Sequence, residues 1–173
     1  GSGHYINQMC LDIEGLDRLR FENAWQAAVA AYDILRSSVI WQGSERPLHV
    51  VHKQVRVPFT SLDWSARADV TSALAELASA ELAQGFDLAC APLLRLVLVQ
   101  TGAQRYHLIY THHHILMDGW SNSQLLGEVL QRYDGQTLPR QAGRYRDYIS
   151  WLQGRDTKVS EAFWLEQLRS FEA

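Results

Sequence analysis

Three consecutive histidines, closely followed by an aspartate, a glycine and a serine, are the residues of this chain best suited to chemistry. They lie in residues 111–121, which read Thr-His-His-His-Ile-Leu-Met-Asp-Gly-Trp-Ser. An imidazole titrates near neutral pH, so one histidine can both accept and donate a proton at working pH. Asp118 could orient that histidine or act as its ion-pair partner. The segment therefore predicts acid–base chemistry centred on a single histidine.

Two other interpretations of the histidine run remain open at this point. Imidazole is a common zinc ligand, and His112 and His114 would share one face of a strand. No cysteine or glutamate lies nearby in the sequence to complete the three or four ligands of a zinc site, so we predict no bound metal. The remaining interpretation is structural: the histidines fill a core or a loop, and Asp118 is only a carboxylate at a helix start.

The residues on either side of the histidines predict a strand followed by a helix. Residues 105–111 alternate between two faces, and a continued strand would point His112 and His114 to one side and His113 to the other. Apolar residues recur at helical spacing over residues 125–133. The histidines are therefore expected where a strand ends and a short loop leads into a helix.

The loop between this strand and this helix has two signals of its own. Gly119 suits a bend, because glycine tolerates backbone angles that other residues avoid. Ser121 is a candidate N-cap, because a serine hydroxyl accepts a hydrogen bond from the first turn of a helix. The helix is therefore expected to begin just after residue 121.

Length, composition and charge limit the classes of protein to which this chain can belong. With 173 residues, 47% of them hydrophobic and 20% charged, the chain is expected to form one soluble globular domain. A net charge of -3 without a basic cluster argues against nucleic acid as a main partner. No apolar run approaches the roughly 20 residues that span a bilayer, so we predict no membrane partner. Cys10 and Cys90 are far apart and form no CxxC pattern, which favours two free thiols in the cytoplasm.

Strands and helices interleave over the rest of the chain. A helix is expected to start after Asp17, a good N-cap, and to carry an apolar stripe as far as Leu35. Gly85 is a natural end for a second helix, over residues 66–84. The remaining alternating or apolar segments predict strands at residues 5–13, 38–41, 48–55, 57–63 and 93–99, and a last helix at 159–171.

The histidine segment resembles a known signature. Residues 113–119 match HHxxxDG, the signature of the condensation domains of nonribosomal peptide synthetases, and Trp120 and Ser121 fit the same family. Further matches follow in the family's order. Leu35 and Arg36 belong to a partial match to RHxxLRTxF, and the others are FDL…PLLR at 86–95, YxDYxxW at 145–151 and a YWxxxL-like pattern at 163–168.

The resemblance implies a fold and an extent. The family belongs to the chloramphenicol acetyltransferase-like superfamily, so an α+β lobe (an α/β sandwich) is expected, with a mixed sheet flanked by helices. Residues 1–173 correspond to the N-terminal lobe of a condensation domain, and the family's first motif and the C-terminal lobe are expected to be absent. An isolated lobe would open the site to water, so we expect it to be inactive alone.

The resemblance also implies roles for individual residues. His114 is expected to be the central catalytic residue, either as a general base on the attacking amine or by positioning that amine and stabilising charge. His113 should point away and pack. Asp118 should form a structural ion pair with Arg36, and Gly119 should let the backbone approach the substrate. Trp120 and Ser121 are placed beside the substrate tunnel; His112 is a bystander and the best alternative base.

The implied reaction is peptide-bond formation between carrier-bound thioesters. The chain would bind no cofactor itself, because phosphopantetheine is carried by partner carrier proteins. Its other partners would be the missing lobe and adjacent synthetase domains. Two alternatives stay open: a CoA-dependent acyltransferase of the same fold, against which Trp120, Ser121 and residues 145–151 weigh, and a non-catalytic lobe used for carrier docking.

Overall fold

The computed structural model describes residues 5–43, 45–139, 143–169 and 171 of the chain. The chain divides into two compact units, Gly1–Arg140 and Gln141–Ala173. The first contains a sheet covered by helices, and the second contains two helices. Within the described ranges, no helix has the length and apolar character needed to cross a membrane.

The first unit is built on a mixed sheet. Its strands and helices, in the described residues, are β1 (Ile6–Glu14), α1 (Arg18–Ala31), β2 (Ser37–Ile40), β3 (Leu48–Val51), β4 (Phe59–Asp63), α2 (Val70–Gln84), β5 (Leu94–Gln100), β6 (Arg105–His113) and α3 (Gly119–Tyr133). The main sheet has the order β1, β6, β5, β4, in which β6 is antiparallel to both neighbours and β4 is parallel to β5. Strands β2 and β3 form a separate antiparallel pair. The predicted α+β fold with a mixed sheet is confirmed.

Most of the core lies between one face of this sheet and helices α1 and α3. Trp25 of α1 and Tyr110 of β6 are fully buried there, with ring centroids 4.9 Å apart. On the opposite face, Val97, Val99 and Ile109 form a smaller cluster against α2. Strand β5 is covered on both faces, which suits its nearly continuous apolar sequence. Strand β6, which leads to the histidines, is thus packed against helices on both faces.

Helix α1 begins as predicted and ends earlier. The side chain of Asp17 is the N-cap and accepts a hydrogen bond from the Arg20 amide at 3.0 Å. The stripe expected to reach Leu35 as one helix is interrupted, because Tyr32 adopts an extended conformation with φ -114° and ψ 125°. Leu35 is nevertheless buried, within a 3-10 turn at Ile34–Arg36.

Helix α2 starts at Val70, later than the predicted residue 66. The preceding segment forms a turn in which the Arg67 guanidinium lies 4.7 Å from the ring centroid of Trp64 and binds Asp69 at 2.5 Å. The helix stops as predicted before Gly85, whose φ of +67° lies in the region that favours glycine.

The second unit contains α4 (Tyr145–Gln153) and α5 (Thr157–Gln167). Asp156 caps α5, and its side chain accepts a hydrogen bond from the Lys158 amide at 3.0 Å. Within α4, the rings of Tyr148 and Trp151 stack with centroids 5.9 Å apart. The predicted YxDYxxW segment is therefore helical, and its aromatic residues lie on one helical face.

Candidate functional site

Strand β6 carries the first two of the three histidines. The strand runs through His113, beyond the predicted end at residue 111, and its register pairs His112 with Asn7 of β1. Alternation along the strand places His112 on the α1 and α3 side with Tyr110, and His113 on the α2 side. His114 lies one residue beyond the strand, in a turn.

The ring of His114 is exposed and is anchored to β1. Its backbone amide donates to the carbonyl oxygen of Tyr5 at 2.7 Å, and its Nδ1 lies 3.0 Å from the side-chain nitrogen of Asn7. Its Nε2 has no hydrogen-bond partner among the described residues. The ring of His114 is thus open to solvent through Nε2, rather than lying in hydrophobic packing.

His112 is buried beside Tyr110, with 4% of its surface exposed and the two rings stacked at 4.9 Å between centroids. Burial, and after it the neighbouring His114 and His113, lowers the pKa of His112 to about 4. A group that holds a proton so weakly is a poor general base at neutral pH, which argues against His112 as the alternative base. In the described part of the chain, no three His, Cys, Asp or Glu side chains are placed to bind a metal ion.

His113 stabilises the turn that follows the strand. Its Nδ1 accepts a hydrogen bond from the amide of Ile115 at 3.1 Å, and its ring stacks on Tyr5 with centroids 6.3 Å apart. Its carbonyl oxygen accepts from the Leu116 amide at 3.1 Å. Partial burial lowers the pKa of His113, and the nearby His114 lowers it further. These contacts place His113 in the turn and against Tyr5, on the opposite side of the strand from His112.

Asp118, not Ser121, is the N-cap of α3. Its carboxylate accepts a hydrogen bond from the Ser121 amide at 2.8 Å, and Gly119 is the first helical residue. Asp118 is the N-cap because it is the last residue with an extended backbone before the helix, at φ -85° and ψ 178°. Hydrogen bonds from Ser121 lower the pKa of Asp118, and the nearby His114 adds to this effect. A carboxylate therefore lies at the α3 N-terminus, close to the exposed histidine.

Gly119 is not required by the backbone of this chain. Its φ is not positive, and a Cβ built on it would meet nothing within 4 Å. The predicted bend is therefore made by the residues before it. The next residue, Trp120, is 75% exposed, and Ser121 is exposed as well. The start of α3 is thus an open surface with an accessible backbone.

The structure does not contain the predicted ion pair between Arg36 and Asp118. The Arg36 guanidinium binds Asp33 at 2.7 Å and donates to the carbonyl oxygens of His52 and Lys53, the latter at 3.1 Å. Arg36 follows Asp33 by three residues in the 3-10 turn, so its charge finds a local partner. The carboxylate of Asp118 is meanwhile engaged by the α3 N-terminus.

Two residues that hold His114 were not predicted from the sequence: Tyr5, just before β1, and Asn7, within it. Tyr5 and Asn7 were treated only as part of a strand, yet they provide its main-chain and side-chain anchors. The available signal was a polar Asn7 on the strand face that otherwise carries Met9, Leu11 and Ile13. Its meaning depends on the pairing of β1 with β6, which the sequence did not predict.

A protein-family model described as "Condensation domain" matches residues 1–173. Chondramide synthase cmdD from Chondromyces crocatus is 39% identical over 100% of this chain and 5% of its own length. Bacitracin synthase 3 from Bacillus licheniformis is 30% identical over 96% of this chain and 3% of its own length. The chain therefore spans a small fraction of the length of these curated relatives.

Solved structures share the fold. The starter condensation domain of rhizomide synthetase RzmA aligns with a TM-score of 0.84 and 22% identity, over 99% of this chain and 46% of that chain. The EpoB NRPS cyclization-docking bidomain from Sorangium cellulosum aligns with a TM-score of 0.80 and 23% identity, over 97% and 34% of the two chains. Together with the family model, which matches the whole chain, these similarities show that the protein belongs to the condensation domain family.

Proposed function

We propose that this chain is the N-terminal lobe of a condensation domain, and that it takes part in peptide-bond formation between carrier-bound thioesters in nonribosomal peptide synthesis. The observation that carries the proposal is the exposed ring of His114, anchored through Nδ1 to β1 and lying close to the Asp118 cap of α3. A solvent-facing imidazole beside a helix N-terminus is suited to a reaction that develops negative charge on oxygen.

The proposed reaction is an acyl transfer in which all atoms are accounted for. The lone pair of the acceptor amine forms a C–N bond with the carbonyl carbon of the donor thioester, and the carbonyl π electrons move to oxygen. Collapse of this tetrahedral intermediate breaks the C–S bond. The amine loses one proton and the leaving sulfur gains one, so the products are an amide and a thiol.

We assign the residues of the site as follows. His114 is the central catalytic residue, and the backbone at Gly119 contributes the positive end of the α3 dipole. His113 and Asp118 hold the turn and the helix start on either side of the reacting centre. Trp120 and Ser121, exposed in the first turn of α3, contact the substrate in the tunnel between the lobes.

The partners follow from the same proposal. Donor and acceptor arrive on the phosphopantetheine arms of carrier proteins, and this chain binds no cofactor of its own. A second lobe supplies the opposite wall of the tunnel and excludes water from His114. Exclusion of water strengthens electrostatic interactions at the reacting atoms, which is why both lobes are needed.

The test is amide formation by a protein that contains this chain together with a second lobe. We expect amide with a donor bound to a carrier protein, and little with the same donor bound to CoA. A preference for acyl-CoA would indicate a CoA-dependent acyltransferase, and no turnover with either donor would indicate a non-catalytic docking lobe. The 173-residue chain alone is expected to be inactive, and turnover comparable to that of the two-lobe protein would contradict this.

Replacing Gly119 with alanine should separate stability from activity. Alanine favours helices and would meet no atom within 4 Å, so the free energy of unfolding should stay constant or rise. The gain expected for a helical glycine is at most about 1 kcal/mol. The rate of amide formation should fall, because the added methyl group occupies the space in which the substrate approaches the backbone.

The matched control is Gly127→Ala, because Gly127 also lies in α3 and also has nothing within 4 Å of an added Cβ. Denaturant unfolding should give similar results for the two variants. The value of kcat/KM in the two-lobe protein should fall only for Gly119→Ala. Equal activity of the two variants would remove Gly119 from the site.

A further inference from the structure

We propose that Asn7 fixes the tautomer of His114, so that the neutral ring presents an N–H group at Nε2 to solvent. Asn7 is then a positioning residue, acting on the reaction through His114. The catalytic consequence rests on the proposed function, whereas the tautomer itself is a property of the folded chain.

The contact between the two side chains favours one position of the ring proton. The side-chain nitrogen of Asn7 is 3.0 Å from Nδ1 of His114, an ordinary hydrogen-bond distance. An amide nitrogen can only donate, so Nδ1 accepts. A neutral imidazole carries one N–H, and here it must be on Nε2, the nitrogen without a partner among the described residues.

Strand β1 holds both participants in place. The register of β1 and β6 brings Asn7 directly opposite His112, two residues before the ring it binds. Immediately before β1, the carbonyl oxygen of Tyr5 accepts from the His114 amide at 2.7 Å. One main-chain and one side-chain contact therefore fix the turn and the orientation of the ring.

The same pair of strands contains a natural comparison. The Nδ1 of His107 in β6 lies 2.7 Å from a carboxylate oxygen of Asp12 in β1. A carboxylate accepts, so the His107 ring carries a proton on Nδ1. In their neutral forms the two histidines are therefore expected to be opposite tautomers, because one β1 partner donates and the other accepts.

The tautomer decides which of the two expected roles His114 performs. A ring with N–H at Nε2 cannot remove a proton from the attacking amine at that atom. It can donate a hydrogen bond to the carbonyl oxygen as the C–N bond forms and negative charge develops there. Its proton stays on the ring throughout, and the proton lost by the amine ends on the leaving sulfur.

Nitrogen-15 NMR of the 173-residue chain, labelled at histidine, tests the tautomer directly. In the neutral ring of His114, Nδ1 should resonate as an unprotonated acceptor and Nε2 as a protonated nitrogen. His107 should show a proton on Nδ1. The His114 signals are assigned by their loss in His114→Leu.

Two substitutions on β1 make the test specific. Asn7→Asp replaces the donor by an acceptor and should move the His114 proton to Nδ1, leaving His107 unchanged. Asp12→Asn should alter His107 and leave His114 unchanged. Asn7 and Asp12 are both exposed, so neither change disturbs the core. A proton on Nδ1 of neutral His114 in the unaltered chain, or no change in Asn7→Asp, would overturn the proposal.

Kinetics of the two-lobe protein test the consequence separately. Asn7→Asp should lower kcat for amide formation, by up to about 10²-fold, with a smaller change in KM, because a donor to the developing charge is lost. An unchanged kcat together with a switched tautomer would show that His114 does not act as a donor. A wild-type protein without amide-forming activity would refute the proposed function and leave the NMR result standing.

Discussion

Replacing His114 with leucine should lower kcat for amide formation by about 10²–10³-fold, the loss typical of removing one donor to a developing oxyanion. The His114 ring is exposed and contributes no packing to the core, so the free energy of unfolding should change little. The loss should appear in kcat more than in KM, because the interaction strengthens only as charge develops on oxygen. Steady-state assays of the two-lobe protein with carrier-bound donor and acceptor measure both parameters.

Two control variants make this result interpretable. His107→Leu removes a histidine of the same strand that lies against Asp12, and it should leave kcat unchanged. His112→Phe keeps an aromatic ring stacked on Tyr110 and should also retain most activity. If His112→Phe loses activity and His114→Leu does not, the central role belongs to His112 and our assignment is wrong.

The buried His112 should make the fold sensitive to acid. Its pKa is lowered from 6.5 to about 4 in the folded chain, so the unfolded chain binds the proton more tightly. The contribution of His112 to the free energy of unfolding is therefore fully present above pH 6.5. It decreases as the pH drops below that value and is entirely lost below about pH 4. A shift of this size corresponds to roughly 3 kcal/mol of unfolding free energy.

Denaturant unfolding of the chain at a series of pH values measures this effect. The carboxylates also contribute to acid denaturation, so the informative quantity is the difference between wild type and variants that lack the imidazole. His112→Phe and His112→Leu fill the site differently and should differ in absolute stability. Both should nevertheless lose the same pH-dependent part of the unfolding free energy. Curves that run parallel to wild type between pH 7 and pH 4 would contradict the prediction.

The features that the sequence predicted well are local. Alternation over β6, helical spacing over α3 and the Asp17 cap each depend on residues a few positions apart. The cap of α3 was harder to predict, although it is local too. Asp118 and Ser121 both compete for that position, and only the backbone angles show which one ends the extended segment.

The features that could not be predicted depend on contacts between distant parts of the chain. Asn7 and His114 are separated by 107 residues, and their contact follows from a strand register that apolar patterning does not specify. The partner of Arg36 was assigned from a resemblance to a family pattern. In the structure the terminal nitrogens of that guanidinium instead bind Asp33 of its own turn and the carbonyl oxygens of residues 52 and 53.

Strand β1, which holds His114, is an edge strand of the sheet, and among the described residues it pairs only with β6. One side of an edge strand has backbone groups without a neighbouring strand to bind. The amide hydrogens of β1 should therefore exchange with solvent faster than those of the central strand β5. The geometry of the His114 ring thus depends on one of the more easily frayed strands of the sheet. Position 7 lies outside the packed interior, so evolution can alter the hydrogen bonding of this imidazole without rebuilding the core.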